Sequence, residues 1–279
     1  MGNAETVLNK RRCTIEAQKV KKIFRDGKKE VLAIEDITLK VYEKEFAVLI
    51  GPSGCGKSTF LYIVAGFYKP TSGKVIVNGK EVKKPGRDRG IVFQEYVLFP
   101  WMTVIDNIAF GLRLGKTSKE EALKIAKKYV DLVGLTGFEN AFPHTLSGGM
   151  KQRVAIARAF AYNPEVMLMD EPFGSLDAQT RKYMIRDLSE IIEKTAKTTL
   201  FVTHSVEEAM SLADKIFILS ARPSKVIKTV EIKEERPRDV TDPKFLEIKK
   251  EIMEVLGKEV MKMKKMEEEI PTEEGGEFK

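Results

Sequence analysis

Cysteine and histidine are nearly missing from this chain of 279 residues, which holds two of each. Cys13 and Cys55 cannot build a disulfide framework, and so sparse a usage fits a reducing compartment. His144 and His204 are too few for a histidine-built metal cluster. Long apolar runs are missing too: no stretch approaches the roughly 18 residues that span a bilayer. Residues 1–12 carry charges and no apolar centre, so no secretory signal is visible. Neither sign of charge dominates. The net charge of +7 is the difference between 48 basic and 41 acidic residues, well mixed along the chain. That mixture lacks the concentrated basic stripe of a nucleic-acid binder and argues against such a partner. With 43% hydrophobic and 32% charged residues, the composition is that of a globular protein able to bury a substantial core.

Against these absences stands one dense cluster of glycine. The apolar run 46–50 reads as a buried strand and is followed by Gly51, Pro52, Ser53, Gly54, Cys55, Gly56, Lys57, Ser58 and Thr59. A helix then continues from Lys57 through residues 60–65. Strand, glycine-rich loop and helix is the context that the pattern G-x-x-x-x-G-K-[ST] requires. On this reading Gly51, Gly54 and Gly56 adopt φ > 0 and bring backbone N–H groups close to a phosphate. Those donors and the positive end of the helix favour a polyanion. Lys57 adds a charge near the β- and γ-phosphates, and the Ser58 hydroxyl can ligate Mg²⁺. Cys55 needs only to be small there and reads as inert. The loop predicts a nucleoside triphosphate site.

Around it, residues 15–23, 31–34 and 37–41 read as short antiparallel strands, with a turn at Asp26-Gly27. Residues 74–79 form a further strand ended by Asn78-Gly79. Residues 91–94 form a short one whose last residue, Gln94, is polar. Helical spacing over 103–114, 118–133 and 149–162 predicts an all-helical insertion at about 97–160. The strand at 166–169 is ended by Asp170 and Glu171. Helices at 181–195 and 206–213 then alternate with strands at 198–202, 216–219 and 226–232. This order predicts an α/β domain over 14–235 with a mostly parallel sheet. Residues 236–243 read as a turn-rich linker. Phe245, Ile248, Ile252, Val255 and Leu256 mark one helix face that docks on the core, and an acidic tail runs from residue 267 to 279.

In such sheets the carboxyl ends of strands face the ligand crevice. Asp170 would lie near Ser58 and hold Mg²⁺, and Glu171 would orient and deprotonate an attacking water. The bland alternative for this acidic pair is an ordinary surface turn. A phosphate loop alone leaves kinases, GTPases, helicases and transporter ATPases open. A second anion site is written at 146–153: Ser147 is placed to cap a helix whose first turn, Gly148 and Gly149, exposes backbone donors. One chain thus carries two half-sites for one kind of ligand.

The stretch 146–153 closely resembles the signature of the ATP-binding cassette (ABC) ATPases, and over roughly residues 15–235 several spaced motifs agree in order. The resemblance implies a P-loop NTPase, RecA-like α/β core with an N-terminal antiparallel β subdomain and a helical insertion. It implies ATP and Mg²⁺ as cofactors. It also implies adenine stacked on Phe24, Gln94 sensing Mg²⁺ and γ-phosphate, and Asp170-Glu171 as the second phosphate-site motif. Ser175-Leu176-Asp177 matches a loop that crosses a dimer interface, and His204 matches a switch contacting the γ-phosphate. His144 reads as structural. Two chains would pack head to tail, each ATP lying between Lys57 of one and Ser147 of the other. Residues 93–110, 219–223 and 236–239 resemble the nitrate, sulfonate and taurine importer branch. There a groove of Leu98, Phe99, Trp101 and Met102 would receive a helix of an integral membrane permease. A solute-binding protein would be an indirect partner, and the chain would sit on the cytoplasmic face of the cell membrane. The competing class is a soluble cassette ATPase working on nucleic acid or ribosomes. It is disfavoured by the short gap between phosphate loop and signature and by the single cassette. A small-molecule kinase needs neither the signature nor Glu171.

Overall fold

A computed structural model describes residues 11–268 except Lys28, Lys116, Asp239 and Val240. The acidic tail therefore lies almost wholly outside the described residues. Two long antiparallel strands, β1 (Cys13–Asp26) and β2 (Lys29–Tyr42), open the chain around the Asp26-Gly27 turn, where Gly27 has φ +55°. The two runs expected at 31–34 and 37–41 are one strand. Exposed Glu35 and Asp36 interrupt the alternation because β2 carries an extra residue there, Ile37 and Ile34 pairing with Val20 and Lys22, which shifts the buried face by one residue.

β3 (Phe46–Ile50) leads into the loop at 51–56 and α1 (Lys57–Ala65). β4 (Ser72–Val77) and the two-residue β5 (Lys80–Glu81) extend the sheet beyond β1, and β6 (Arg89–Val92) forms its far edge. Three helices follow: α2 (Val104–Arg113), α3 (Lys119–Leu132) and, after a single 3₁₀ turn at Pro143–Thr145, α4 (Gly148–Ala161). Thr103, Ser118 and Ser147 cap them through their hydroxyls, as their sequence positions require. The chain then alternates through β7 (Val166–Asp170), α5 (Ala178–Thr195), β8 (Thr198–Thr203), α6 (Val206–Leu212) and β9 (Lys215–Leu219). β10 (Ser224–Glu231) and α7 (Pro243–Glu268) complete it.

All strands join one ten-stranded sheet in the order β5-β4-β1-β2-β10-β9-β3-β8-β7-β6. Its half from β9 to β6 is parallel. β3, β7, β8 and β9 are buried along their whole length, as near-continuous apolar strands covered on both faces must be. α1 fills one face around Phe60 and Leu61, while Phe160, Phe173 and Phe201 anchor the other face under α4 to α6. Parallel register sets Ile50 opposite Thr203 and Asp170 opposite Val202, so three carboxyl ends share one edge. That edge carries the site.

α7 packs into the same core as Phe160, Phe173 and Phe201 through Phe245, Ile252 and Leu256, with Ile248 and Val255 packed beside them. Ile252 is fully buried and Met261 is 70% exposed. Ile252→Ala is expected to lower unfolding stability by roughly 2–4 kcal/mol through lost transfer energy and a residual cavity. Met261→Ala is expected to stay within about 0.5 kcal/mol. Denaturant titration of the full chain distinguishes the two.

Candidate functional site

The loop after β3 turns on Gly54 and Gly56, whose φ values are +73° and +111°. Gly51 corrects the expectation made for it: its φ lies outside the left-handed region. Its Cβ would instead fall 3.0 Å from the Cys55 Sγ and 3.2 Å from both the Cβ and the carbonyl oxygen of Leu219. Glycine is required there for room rather than for φ. Pro52 is buried, Ser53 exposed and Thr59 half-buried. The Lys57 ammonium curls back over the loop, donating to the carbonyls of Gly51 at 3.0 Å and Pro52 at 2.9 Å. Cys55 is buried, and burial pushes its thiol up, away from the reactive thiolate.

Ser58 donates from its hydroxyl to Oδ1 of Asp170 at 2.7 Å. Tyr62, one turn further along α1, hydrogen-bonds the same carboxylate. Burial raises the Asp170 carboxyl above its ordinary range, and the bonds from Ser58 and Tyr62 oppose that rise. Glu171 has φ +40°, a conformation that costs a non-glycine residue about 1–3 kcal/mol. It is held there by its N–H donating to Val202 at 2.9 Å and its carbonyl accepting from Gly174 at 3.0 Å. The carboxylate of Glu171 consequently sits between Lys57, 3.7 Å away, and the Nδ1 of His204, 2.9 Å away. The Gln94 side chain reaches the same turn, its Nε2 lying 3.8 Å from where a Cβ on Gly174 would stand. Lys57, Ser58, Gln94, Asp170, Glu171 and His204 converge.

The second half-site lies apart from this group. Ser147 accepts from the Met150 N–H at 3.3 Å and so starts α4. Gly148 faces the Tyr96 hydroxyl, which in turn bonds Ser175 at 3.0 Å, and Gly149 packs on Thr180. Asp177 caps α5, and the bonds from Thr180 hold its carboxyl below the usual range. Ser147 to Gly149 thus rest on residues 175–180 of their own chain. Phe24 stands edge-on to Tyr68 at 5.6 Å, with the Lys22 ammonium 4.9 Å above its ring. The sequence reading missed Tyr62, Arg181, Thr203 and Glu208. Only Tyr62 carried a signal, since it follows Ser58 by four residues on one helix face.

The family model described as ABC transporter matches residues 34–174. Among relatives, the uncharacterized ABC transporter ATP-binding protein MJ0412 of Methanocaldococcus jannaschii is 52% identical, covering 89% of this chain and 93% of its own. The nitrate import ATP-binding protein NrtD of Synechocystis is 44% identical over 87% of this chain and 94% of its own. The aliphatic sulfonates import ATP-binding protein SsuB of Bacillus cereus is 43% identical over 86% and 95%. The dimeric structure of MJ0796, a bacterial ABC transporter cassette, superposes with a TM-score of 0.70 at 33% identity, over 79% of this chain and all of that one. The same cassette is also known as a dimer in a post-hydrolysis state bound to ADP and Pi. The fold is accordingly that of a P-loop NTPase, and this chain belongs to the ABC transporter family, as one of its ATP-hydrolysing cassettes.

Proposed function

We propose that this cassette energises the import of a small anion such as nitrate, a sulfonate or taurine through a separate membrane permease, and works as a head-to-tail dimer on the cytoplasmic membrane face. One observation carries the permease part. Val97 and Trp101 are 54% and 70% exposed, yet the backbone that presents them is pinned from beneath. Buried Asn107 accepts from the Phe99 N–H at 2.9 Å and donates to the carbonyls of Phe99, Met102 and Thr103. Arg158 donates to the carbonyls of Val97 at 2.6 Å and Tyr96 at 3.1 Å. A rigid apolar shelf exposed to water is suited to receiving a partner helix. It also begins three residues after Gln94, so a push on it reaches the phosphate site. Among the described residues no helix is long and apolar enough to cross a membrane, and the solute path is assigned to the permease.

Within the site, Gly51 to Thr59 would cradle the triphosphate, Lys57 would meet its β/γ-oxygens and Phe24 would stack on adenine. Ser58 and Asp170 present hard oxygen donors side by side, the latter buried next to a second carboxylate. That set fits Mg²⁺, which Gln94 would join in holding. When bound, the ion supplies charge neutralisation for the transferred phosphoryl group. Glu171 takes the proton of the attacking water, and His204 orients Glu171 through the 2.9 Å bond while facing the γ-phosphate. Ser147, Gly148 and Gly149 of a second copy would close the site, with the 175–177 loop passing between copies.

The expected result is that deleting the gene from its host abolishes uptake of labelled nitrate, taurine or an alkanesulfonate. The wild-type chain restores that uptake and the Glu171→Gln variant does not. Unchanged uptake of all three solutes would refute this solute class, and import restored by the Glu171→Gln variant would refute the energising role.

A further inference from the structure

Residues 175–177, which would cross to the second copy, and His204, which would face the γ-phosphate, stand on different elements of this chain. The half-buried Arg181 and the buried Glu208 join them. Arg181, in the first turn of α5, donates from Nη2 to the Leu176 carbonyl at 2.9 Å. Its Nε is buried and has no hydrogen-bond partner among the described residues. That Nε lies 3.8 Å from Oε1 of Glu208. Glu208 is 4% exposed, in the first turn of α6, four residues after His204. Its other oxygen accepts from the Thr203 hydroxyl at 2.5 Å. Thr203 Oγ1 accepts from the Ser205 N–H at 3.0 Å, and Ser205 Oγ accepts from the Glu208 N–H at 3.3 Å. Both chain neighbours of His204 are therefore tied to Glu208.

An orphaned buried donor facing an acceptor just beyond reach is a contact waiting to form. A hydrogen bond at 3.8 Å is not one, while an N–H of arginine on a carboxylate sits at about 2.7–2.9 Å. Closing that gap takes a movement of about an ångström, and the gain is large because both groups are withdrawn from water. Burial holds the Glu208 carboxyl above its ordinary range, while the Thr203 bond and the nearby Arg181 charge oppose that rise, so a closer guanidinium stabilises the charged form further. The lever is the Leu176 carbonyl, since any shift of the 175–177 loop pulls on the guanidinium.

We propose that Arg181 and Glu208 form a latch that closes when a second copy engages the 175–177 loop, and that Glu208 is a positioning residue through which this engagement sets His204 against Glu171. The proposal rests on the head-to-tail dimer described above. It explains how a cassette that binds ATP alone would withhold hydrolysis until its partner is seated.

Glu208→Gln keeps the shape and an oxygen for Thr203 but removes the charge that Arg181 would meet. Its kcat is expected to fall on the order of tenfold, with KM and the monomer's ATP affinity unchanged within about twofold. Arg181→Gln, at a partly exposed position, should show a similar loss. The double variant should be no slower than either single one, because both break the same contact. In the Glu171→Gln background, Glu208→Gln should raise the ATP concentration that half-saturates dimerisation, read by size-exclusion chromatography. Wild-type kcat in Glu208→Gln, losses that multiply in the double variant, or an unmoved dimerisation midpoint would each overturn the latch. If Glu171→Gln alone forms no ATP-dependent dimer, the dimer reading is what has failed and the latch falls with it. If that dimer forms and the Glu208 variants behave as wild type, the latch alone is wrong.

Discussion

Replacing Glu171 with glutamine is expected to give a protein that binds ATP, dimerises on it, and releases phosphate at less than about one-hundredth of the wild-type rate. The substitution changes basicity and little else. Glutamine retains an oxygen for the 2.9 Å contact with His204 and is no more strained at φ +40° than glutamate. The backbone bonds to Val202 and Gly174 that force this conformation do not involve the side chain. Lys57 loses a charge 3.7 Å away but keeps the Gly51 and Pro52 carbonyls as acceptors. Fold and phosphate grip should both survive, so a fall in turnover is attributable to the missing base. Binding then proceeds to a closed dimer that lacks its exit step, visible as a stable doubled mass on size exclusion with ATP and Mg²⁺. Wild-type phosphate release by this variant would remove Glu171 from its role.

The parts of the site legible in the sequence are those built by local chain direction. Gly54, Gly56 and Lys57 act within one turn, and strand β7 delivers Asp170 and Glu171 by running parallel to β3 and β8. Ser147 announces itself as a helix cap in the residues that follow it, whereas Asp177 reads only as part of a loop because its helix starts at Ala178 and not at Arg181. What stayed hidden depends on contacts between elements distant in the chain. Nothing in the spacing says that Arg181 on α5 would face Glu208 on α6, or that Tyr62 would reach Asp170 across 108 residues. Gly51 shows the same limit in reverse. Its identity was anticipated, but the reason is the wall formed by Leu219 on a neighbouring strand, not its own φ. The division of 31–41 into two runs failed because a bulge at Glu35-Asp36 resets the alternation inside one continuous strand, and a bulge shows only in how the strand is registered on its partner. α7 was legible as a docking face, whereas its far end was not. Glu259 accepts from the Ala221 N–H at 2.8 Å, and Met263 packs near Gly54, so this helix also braces the turn beside the phosphate loop.

Ser147→Arg should leave ATP affinity of the single chain unchanged, abolish ATP-dependent dimerisation, and lower phosphate release at least ~100-fold. Ser147 sits at the N-cap of α4. It is exposed, its contacts run to Met150 within α4, and its neighbours Gly148 and Gly149 pack on residues of the same chain rather than on Lys57 or Ser58. A large cation there therefore disturbs nothing in the phosphate loop of its own copy. It does fill the space in which the second copy's triphosphate would meet the helix start. Loss of the cap costs about 0.5–2 kcal/mol by itself, so a destabilised helix could mimic the effect. Ser147→Asp separates the two causes. Aspartate caps as well as serine and suits the helix dipole, yet it sets a negative charge against an incoming polyanion. Stability of the Asp variant should match wild type while its dimerisation and hydrolysis are lost as fully as in the Arg variant. An intact ATP-bound dimer in both variants would sink the sandwich arrangement, because a site shared between copies cannot tolerate either a bulky cation or a repelling anion at its second wall.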